Sequence, residues 1–246
     1  MKDNFSSESA KYAQFRPTYP DALFEYLLTL VPGRTQAWDC GTGNGQMAQV
    51  LAGVFEEVSA TDISRQQIDN AVVLPNIRYS VQPAERTDFP DTTFDLITVA
   101  QAIHWFDFDA FYAEASRTLK PGGLLAVIGY GLLQIDPALD VVIGGFYRDV
   151  VGPFWDKERH YVDEGYRTIP FPYADLPAPA FSIDFEWTLD HLLGYIGTWS
   201  AVRHYRKTRG EDPLAQIEPQ LRKVWGNAAA CKKGHFPILL RVGRRP

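Results

Sequence analysis

The chain has 246 residues, of which 46% are hydrophobic and 22% are charged, and its formal net charge is −6. These values suit one large globular domain, or a core domain with an inserted cap, and they exclude a disordered chain. Cys40 and Cys231 are too few for a disulfide framework, so we expect a reducing, cytoplasmic environment. The N-terminal sequence lacks the apolar region of a signal peptide, and no apolar run approaches the roughly 20 residues of a membrane span. We expect a soluble protein.

The charge is unevenly distributed along the chain. Residues 201–246 carry 11 basic and 3 acidic side chains, which leaves 13 basic and 27 acidic ones in residues 1–200. Such a basic segment either steers an anionic ligand or consists of ordinary solvated helix faces around 203–209. The isoelectric point near 5.4 disfavours nucleic acid as a partner.

Strand and helix signals alternate over the first half of the chain, which predicts a parallel sheet with helices on both faces. The predicted strands are short apolar runs at 36–39, 57–61, 77–81, 94–100 and 124–130. The predicted helices are 21–30, 46–52, 64–72 and 107–119, and the last of them is followed by a turn at 120–123.

The pattern changes after residue 130. Residues 134–180 are rich in aromatic residues and proline, with a helix signal at 139–151 and no clear strand. Further signals predict a strand at 181–187, helices at 189–200 and 214–225, and a last strand at 236–242 that pairs antiparallel at an edge of the sheet.

The predicted fold class is therefore α/β, with a Rossmann-like, seven-stranded, mostly parallel sheet whose last strand is antiparallel, and with helices on both faces. Residues 1–133 would form the ligand-binding core with an N-terminal lid segment. Residues 134–180 would form a small substrate cap inserted between strands 5 and 6, and residues 181–246 would complete the core sheet.

The segment 39–45 reads Asp-Cys-Gly-Thr-Gly-Asn-Gly and lies where a strand ends and a helix begins, at the edge where α/β sheets bind ligands. Gln46 stands where a dinucleotide fingerprint has glycine or alanine. Asp39, two residues before Gly41, would repel a pyrophosphate but attract a sulfonium and an ammonium group. The loop therefore favours a cationic ligand, and the alternative for Asp39 is an ordinary turn residue at the strand end.

Two later loops reach the same edge of the sheet. Asp62 follows Gly41 by 21 residues, at the end of the second strand, where a carboxylate accepts hydrogen bonds from ribose hydroxyls. Its alternative role is to cap the following helix. Ile63 is placed to pack on an adenine ring. The loop 82–85, Gln-Pro-Ala-Glu, would meet the adenine amino group, unless it is an ordinary surface loop.

These motifs together resemble class I S-adenosylmethionine-dependent methyltransferases of the type-11 group. The resemblance rests on 39–45, Thr-Asp-Ile-Ser at 61–64, Ala-Glu at 84–85 and Arg-x-Leu-Lys-Pro-Gly-Gly at 117–123. Within that group the chain is most similar to small-molecule carboxyl methyltransferases of the trans-aconitate and cantharidin-methylating kind. This second resemblance rests on Tyr-x-x-Phe-Arg-Pro-x-Tyr-Pro at 12–20, Ala-Gln-Ala-Ile-His-Trp-Phe at 100–106 and Thr-Trp-Ser-Ala at 198–201.

The resemblance implies that S-adenosylmethionine is the cofactor and S-adenosylhomocysteine the product. It places these residues around the cofactor: Asp39, Gly41, Gly43 and Gln101 on the methionine part, Asp62 on the ribose, Ile63, Ala84 and Glu85 on the adenine, and Tyr12 and Arg16 in an N-terminal segment folded over it. Arg16 is also a candidate for binding a carboxylate. Relatives often carry Gly-Asp before Ala-Glu, so Glu85 or a backbone carbonyl would replace that aspartate here.

Methyl transfer from a sulfonium depends on alignment and exclusion of water. A carboxylate acceptor needs no base, whereas a hydroxyl or amine acceptor needs its proton removed, and His104 is then the candidate catalytic base. The alternative for His104 is a buried ring that is hydrogen-bonded to backbone. The predicted acceptor contacts are the aromatic residues after the fourth strand, in the cap and beyond the sixth strand: His104, Trp105, Trp155, Tyr195 and Trp199.

The predicted function is therefore S-adenosylmethionine-dependent methylation of a small molecule, with a carboxylic acid as the favoured class. Two other functions stay open: a non-catalytic S-adenosylmethionine-binding protein, and a nicotinamide-dependent oxidoreductase, which shares the sheet and the ribose carboxylate but not the loop spacing. The histidines lack metal-ligand spacing, so we expect no metal. We expect no nucleic-acid or membrane partner, and either a monomer or a homodimer.

Overall fold

The computed structural model describes Phe15 and residues 17–246. In this part of the chain, seven strands form one sheet. They are β1 (Gln36–Cys40), β2 (Glu57–Asp62), β3 (Ile77–Val81), β4 (Phe94–Ala100), β5 (Leu119–Tyr130), β6 (Ser182–Trp187) and β7 (Lys232–Arg244). Their order across the sheet is β3-β2-β1-β4-β5-β7-β6.

Helices cover both faces of the sheet. They are α1 (Asp21–Leu30), α2 (Gln46–Ala52), α3 (Arg65–Asp69), α4 (Phe108–Thr118), α5 (Pro137–Gly145), α6 (Arg159–Asp163), α7 (Leu189–Gly197), α8 (Ser200–Arg209) and α9 (Leu214–Trp225). Short 3₁₀ turns lie at Ile103–Trp105 and Gly152–Phe154, and a π-helical turn lies at Phe146–Val150. Within the described residues, no helix has the length and apolar content that a membrane span requires.

The sheet confirms the predicted fold class. Strands β1 to β5 pair in parallel, while β7 pairs antiparallel with β5 and with β6. The prediction that the last strand lies at an edge was wrong, because β6 forms the edge and β7 lies inside it. The reason is the length of β7: residues 232–237 pair with β6 and residues 238–244 pair with β5. The apolar run at 236–242 revealed only part of this strand.

One predicted turn and one predicted helix have a different outcome in the structure. The run 120–123 lies within β5, where the pairing with β4 shifts register and Gly122 has a φ of +77°. The glycine signal therefore marks a bulge in a long strand rather than a turn before it. The helix after β2 is shorter than predicted, and the Ser64 hydroxyl caps it by accepting a hydrogen bond from the Gln67 amide at 3.3 Å. Asp62 is consequently not the cap of this helix.

The segment between β5 and β6 is anchored on the sheet by a buried tyrosine. Tyr166 is fully buried, and a Cβ built on Gly129 of β5 would lie 2.6 Å from the Tyr166 ring. Only glycine at position 129 leaves room for that ring. The hydroxyl of Tyr112 on α4 also donates to the carbonyl of Pro170 at 2.6 Å. The segment 134–180 therefore packs beside the carboxyl end of β4, next to the loops that follow the parallel strands.

Candidate active site

The loop between β1 and α2 contains three glycines in the left-handed region, with φ of +71° at Gly41, +57° at Gly43 and +84° at Gly45. A Cβ on Gly41 would lie 2.6 Å from that of Ala102, and one on Gly45 would lie 2.3 Å from the Tyr79 hydroxyl. At Gly43 a Cβ would meet nothing within 4 Å. Gly41 and Gly45 therefore fit the loop against the protein, whereas Gly43 presents bare backbone to open space, as close approach of a ligand requires.

Asp39 is fully buried at the carboxyl end of β1. The hydroxyls of Thr42 and Thr98 donate to its two carboxylate oxygens at 2.5 and 2.9 Å. Burial raises the pKa of Asp39 to about 6, and the two threonine hydrogen bonds act in the opposite direction. The carboxyl group therefore fixes the shape of the glycine loop from inside, and it places negative charge beneath that loop.

Asp62, half-buried at the end of β2, ties the glycine loop to the next strand. The Gly43 amide donates to Oδ2 of Asp62 at 2.9 Å, and the Ser64 amide donates to Oδ1 at 2.8 Å. The carbonyl of Thr61 accepts the amides of both Gly41 and Thr42 at 2.9 Å. Because β1 and β2 are parallel, their carboxyl ends lie side by side, and the structure brings Asp62 to the glycine loop. Ile63 beside it is half-buried.

The loop after β3 lies next to the start of α4. Ala84 is buried, and the half-buried Glu85 accepts a hydrogen bond from the Asp107 amide at 3.2 Å. Gln82 holds the loop closed, because its side chain donates to Oδ1 of Asp88 at 2.7 Å and accepts the Asp88 amide at 2.9 Å. Gln82 is therefore a fixed part of this loop.

Gln101, directly after β4, has a φ of +54°, which is unusual for a residue with a side chain. Its amide donates to the carbonyl of Ile128 at 2.8 Å, and its side-chain amide donates to the carbonyl of Tyr130 at 3.2 Å. Strained backbone of this kind concentrates at functional sites, where surrounding contacts hold it in place.

His104 lies in the 3₁₀ turn after β4 and is 7% exposed. Its Nδ1 and the Tyr166 hydroxyl are 3.1 Å apart, so its partner is a side chain of the 134–180 segment. Burial, together with a smaller effect of the positive charge of Arg159, lowers the pKa of His104 to about 3. The ring is therefore neutral throughout the physiological range. Trp105 beside it is half-buried, with the two ring centroids 4.9 Å apart.

The three aromatic residues predicted beyond this turn lie together. Trp155 and Trp199 have ring centroids 5.7 Å apart, and those of Tyr195 and Trp199 are 6.0 Å apart. Tyr195 and Trp199 are buried, and Trp155 is half-buried. Trp155 and Trp199 are 44 residues apart in the sequence but in contact in the fold. With Tyr195 they form one aromatic cluster.

Comparison with known proteins identifies the family. Residues 38–127 match a methyltransferase-domain family. A Dictyostelium discoideum protein named as a methyltransferase is 33% identical over 250 residues, a match that covers 99% of this chain and 95% of that protein. The chain belongs to the class I methyltransferases. The solved structure of a protein described as a type II methyltransferase from Anaeromyxobacter dehalogenans is 45% identical, with a TM-score of 0.87, and the match covers 94% of this chain and 98% of that one. A Bacillus halodurans protein described as a methyltransferase shares the fold at 20% identity, with a TM-score of 0.56 and coverage of 92% and 100%.

The fold of this methyltransferase implies S-adenosylmethionine as methyl donor, and the loop residues fit that molecule. Gly43 leaves open space beside its backbone, and buried Asp39 favours a ligand that carries positive charge. Oδ2 and Oδ1 of Asp62 accept the Gly43 and Ser64 amides, and a carboxylate oxygen can accept more than one hydrogen bond. Tyr12 and Arg16, predicted to fold over the donor, lie outside the described residues. Among the described residues, no group of His, Cys, Asp and Glu side chains could hold a metal ion.

Sequence reasoning missed one charged residue that lies beside the aromatic cluster. Arg159 on α6 donates from Nε to the Tyr147 hydroxyl at 2.7 Å, and its guanidinium carbon lies 4.7 Å from the Trp155 ring centroid. In the sequence Arg159 stands in a charged run, four residues before Asp163, which is typical of an exposed helix pair. The only available signal was the density of aromatic residues around it.

Proposed function

We propose that this methyltransferase transfers a methyl group from S-adenosylmethionine to a small molecule, and that the acceptor is a carboxylic acid. The observation that carries the donor assignment is the pairing of Asp62 with the Gly43 amide beside bare loop backbone at the carboxyl end of the sheet. Ligands of open α/β sheets bind at this edge. The 134–180 segment, which packs beside it, would cover the acceptor.

The donor-side residues hold and orient the donor. In this proposal the backbone of Gly41 and Gly43 lies along the methionine part, and Asp62 accepts hydrogen bonds from the ribose hydroxyls. Ile63 and buried Ala84 border the adenine. The strained backbone of Gln101 fixes the wall nearest the reacting atoms.

When bound, S-adenosylmethionine supplies a methyl group on a positively charged sulfur that needs no further activation. A carboxylate oxygen of the acceptor would bond to the methyl carbon as the carbon–sulfur bond breaks, the electron pair would stay on sulfur, and no proton would be released. The protein therefore contributes alignment and exclusion of water rather than acid–base chemistry.

The state of His104 supports an acceptor that needs no base. A ring whose pKa is about 3 is a weak proton acceptor at neutral pH, and catalysis of proton removal is most efficient when the pKa lies near the working pH. His104 is also engaged by the Tyr166 hydroxyl. We propose that His104 and Trp105 shape the wall of the acceptor pocket, with His104 as a neutral hydrogen-bonding group.

The arginines near the C-terminus support a small molecule rather than a nucleic acid as partner. Arg244 donates to the carbonyls of Gly122 and Leu30 at 2.6 and 2.8 Å, and Arg245 donates to the carbonyl of Leu119. Arg241 donates to the carbonyl of Ile169 at 2.5 Å and pairs with Asp175 at 2.7 Å. These side chains stabilise β7 and its neighbours, so they do not form a free basic surface.

Two measurements test the proposed function. In calorimetric titrations we expect the protein to bind S-adenosylhomocysteine and not NAD, whereas binding of NAD alone would support an oxidoreductase. In a methyl-transfer assay with S-adenosylmethionine, we expect product from carboxylic acids and not from the corresponding phenols or amines. Binding of S-adenosylhomocysteine without transfer to any compound would instead support a non-catalytic binding protein.

A further inference from the structure

The 134–180 segment carries an arginine whose charged end lies against two aromatic rings. Arg159 lies on α6, which packs against the 3₁₀ turn of His104. Its side chain is 23% exposed, which is low for an arginine. The guanidinium carbon lies 4.7 Å from the ring centroid of Trp155 and 5.4 Å from that of Tyr147.

Two hydrogen bonds hold the inner nitrogen of this guanidinium. Nε donates to the Tyr147 hydroxyl at 2.7 Å and lies 3.4 Å from Oδ1 of Asp163. The Tyr147 hydroxyl donates to the same Asp163 oxygen at 2.5 Å. Together with the stacking on Trp155, these contacts fix the plane and direction of the guanidinium.

The two terminal nitrogens of Arg159 have no hydrogen-bond acceptor in the described part of the chain. Other half-buried arginines of this protein use theirs: Arg244 binds two carbonyls, and Arg241 binds a carbonyl and a carboxylate. An arginine that is fixed at Nε but has free terminal donors is organised to bind a planar anion through two parallel hydrogen bonds.

We propose that Arg159 binds a carboxylate of the methyl acceptor and so determines that the acceptor is an acid with an apolar or aromatic body. The walls suit such a body, because Trp155, Trp199 and Tyr147 lie within 5.7 Å of one another by ring centroid. The positive charge of Arg159 is also felt at His104, which the donor-side loop carries. The anion site therefore lies between the aromatic cluster and the loop after β4. This inference rests on the proposed function and names its acceptor chemistry.

The test uses the full chain loaded with S-adenosylhomocysteine and compares phenylacetate, octanoate and glutarate with the neutral amide of each. We expect at least one acid to bind at least tenfold more tightly than its amide. Arg159→Gln should weaken binding of that acid at least tenfold while the affinity for S-adenosylhomocysteine changes less than twofold. Arg159→Lys keeps the positive charge but cannot form two parallel hydrogen bonds. Its affinity for the acid should therefore lie between that of the wild type and that of Arg159→Gln.

Arg209→Gln is the matched control, because Arg209 also lies over an aromatic ring, that of Phe154, at 5.9 Å. Its acid binding should equal that of the wild type. The inference is overturned if no acid binds better than its amide, or if Arg159→Gln binds the acid as the wild type does. The acid–amide comparison in the wild type decides the matter if Arg159→Gln does not fold. Binding of S-adenosylhomocysteine is measured first. If the protein does not bind it, the proposed function is contradicted. If the protein binds it but shows no preference for an acid over its amide, only this inference is overturned.

Discussion

The proposed donor side and the proposed acceptor side of this methyltransferase are built in different ways. On the donor side, the glycine loop and Asp62 are 19 residues apart in the chain and are joined by one hydrogen bond between neighbouring parallel strands. On the proposed acceptor side, His104 contacts Tyr166, 62 residues later, and Trp155 contacts Trp199, 44 residues later. The donor site is thus a property of two consecutive strand ends, and the acceptor site is a property of the assembled fold.

The difference explains why one side has a recognisable motif and the other does not. A loop that must adopt left-handed backbone at Gly41, Gly43 and Gly45 requires glycine at fixed spacing. An aromatic enclosure can be lined from any element that reaches it, so its residues need no fixed spacing. Variants on the donor side should therefore lower the affinity for S-adenosylhomocysteine, and variants on the acceptor side should weaken binding of the acceptor.

The largest effect is expected from Gly43→Ala. The new Cβ enters the open space that we assign to the donor, so affinity for S-adenosylhomocysteine should fall about a hundredfold, or about 2.7 kcal/mol. Gly210→Ala is the matched control, since Gly210 has a φ of +72° and also has no neighbour within 4 Å of a Cβ. Left-handed strain should destabilise both variants by about 1–2 kcal/mol. Equal affinities in the two variants would remove Gly43 from the donor site.

A change of intermediate size is expected from the pH dependence of stability at His104. The pKa of this ring falls from 6.5 to about 3 on folding, so the unfolded chain binds a proton between these values that the folded chain does not. Stability therefore falls as pH falls below 6.5, by about 2 kcal/mol between pH 7 and pH 5. His104→Asn should lose this component in urea titrations at the two pH values. The same pH dependence in both proteins would show that the ring titrates normally and would remove the argument against a catalytic base.

A smaller effect is expected from Tyr147→Phe, which removes the hydroxyl that holds Nε of Arg159. Tyr147 acts here as a positioning residue. The KM for the carboxylic acid acceptor should rise about fivefold, or about 1 kcal/mol, with kcat within twofold. Tyr112→Phe also removes one hydrogen bond to the 134–180 segment, but at Pro170, away from Arg159. A KM that rises equally in both variants would indicate loosening of the whole segment instead of release of the arginine.

Much of the parallel half of the fold could be predicted, because period-two and helical patterns are local. The strands at 77–81 and 94–100 and the helix at 46–52 have the predicted bounds, and so does the helix at 214–225 in the later half of the chain. The position of β7 could not be predicted, since its polar first half pairs with β6 and only its apolar second half resembled a strand. Pairing partners depend on the whole sheet, not on the strand itself.

In the candidate site, too, residues placed by local sequence could be predicted and residues placed by long-range packing could not. The distance of Asp62 from Gly41 predicts a place near the glycine loop, and the structure has its carboxylate hydrogen-bonded to that loop; its role toward the donor stays a prediction. Arg159 could not be predicted, because its sequence neighbourhood is that of a solvated helix and its enclosure arises only when Tyr147 and Trp155 pack around it. That Ser64 rather than Asp62 caps α3 was open in the sequence, since both residue types serve that role.

The most direct test of the separation between the two sides is the affinity for S-adenosylhomocysteine, measured by calorimetry in three variants. Asp62→Ala should weaken it at least thirtyfold, because it removes the carboxylate that we assign to the ribose. Asp69→Ala, which removes an exposed carboxylate of α3, and Arg159→Gln should each stay within twofold of the wild type. An Asp62→Ala variant that binds as the wild type does, or an Arg159→Gln variant that is weakened as much as Asp62→Ala, would contradict this account of the molecule.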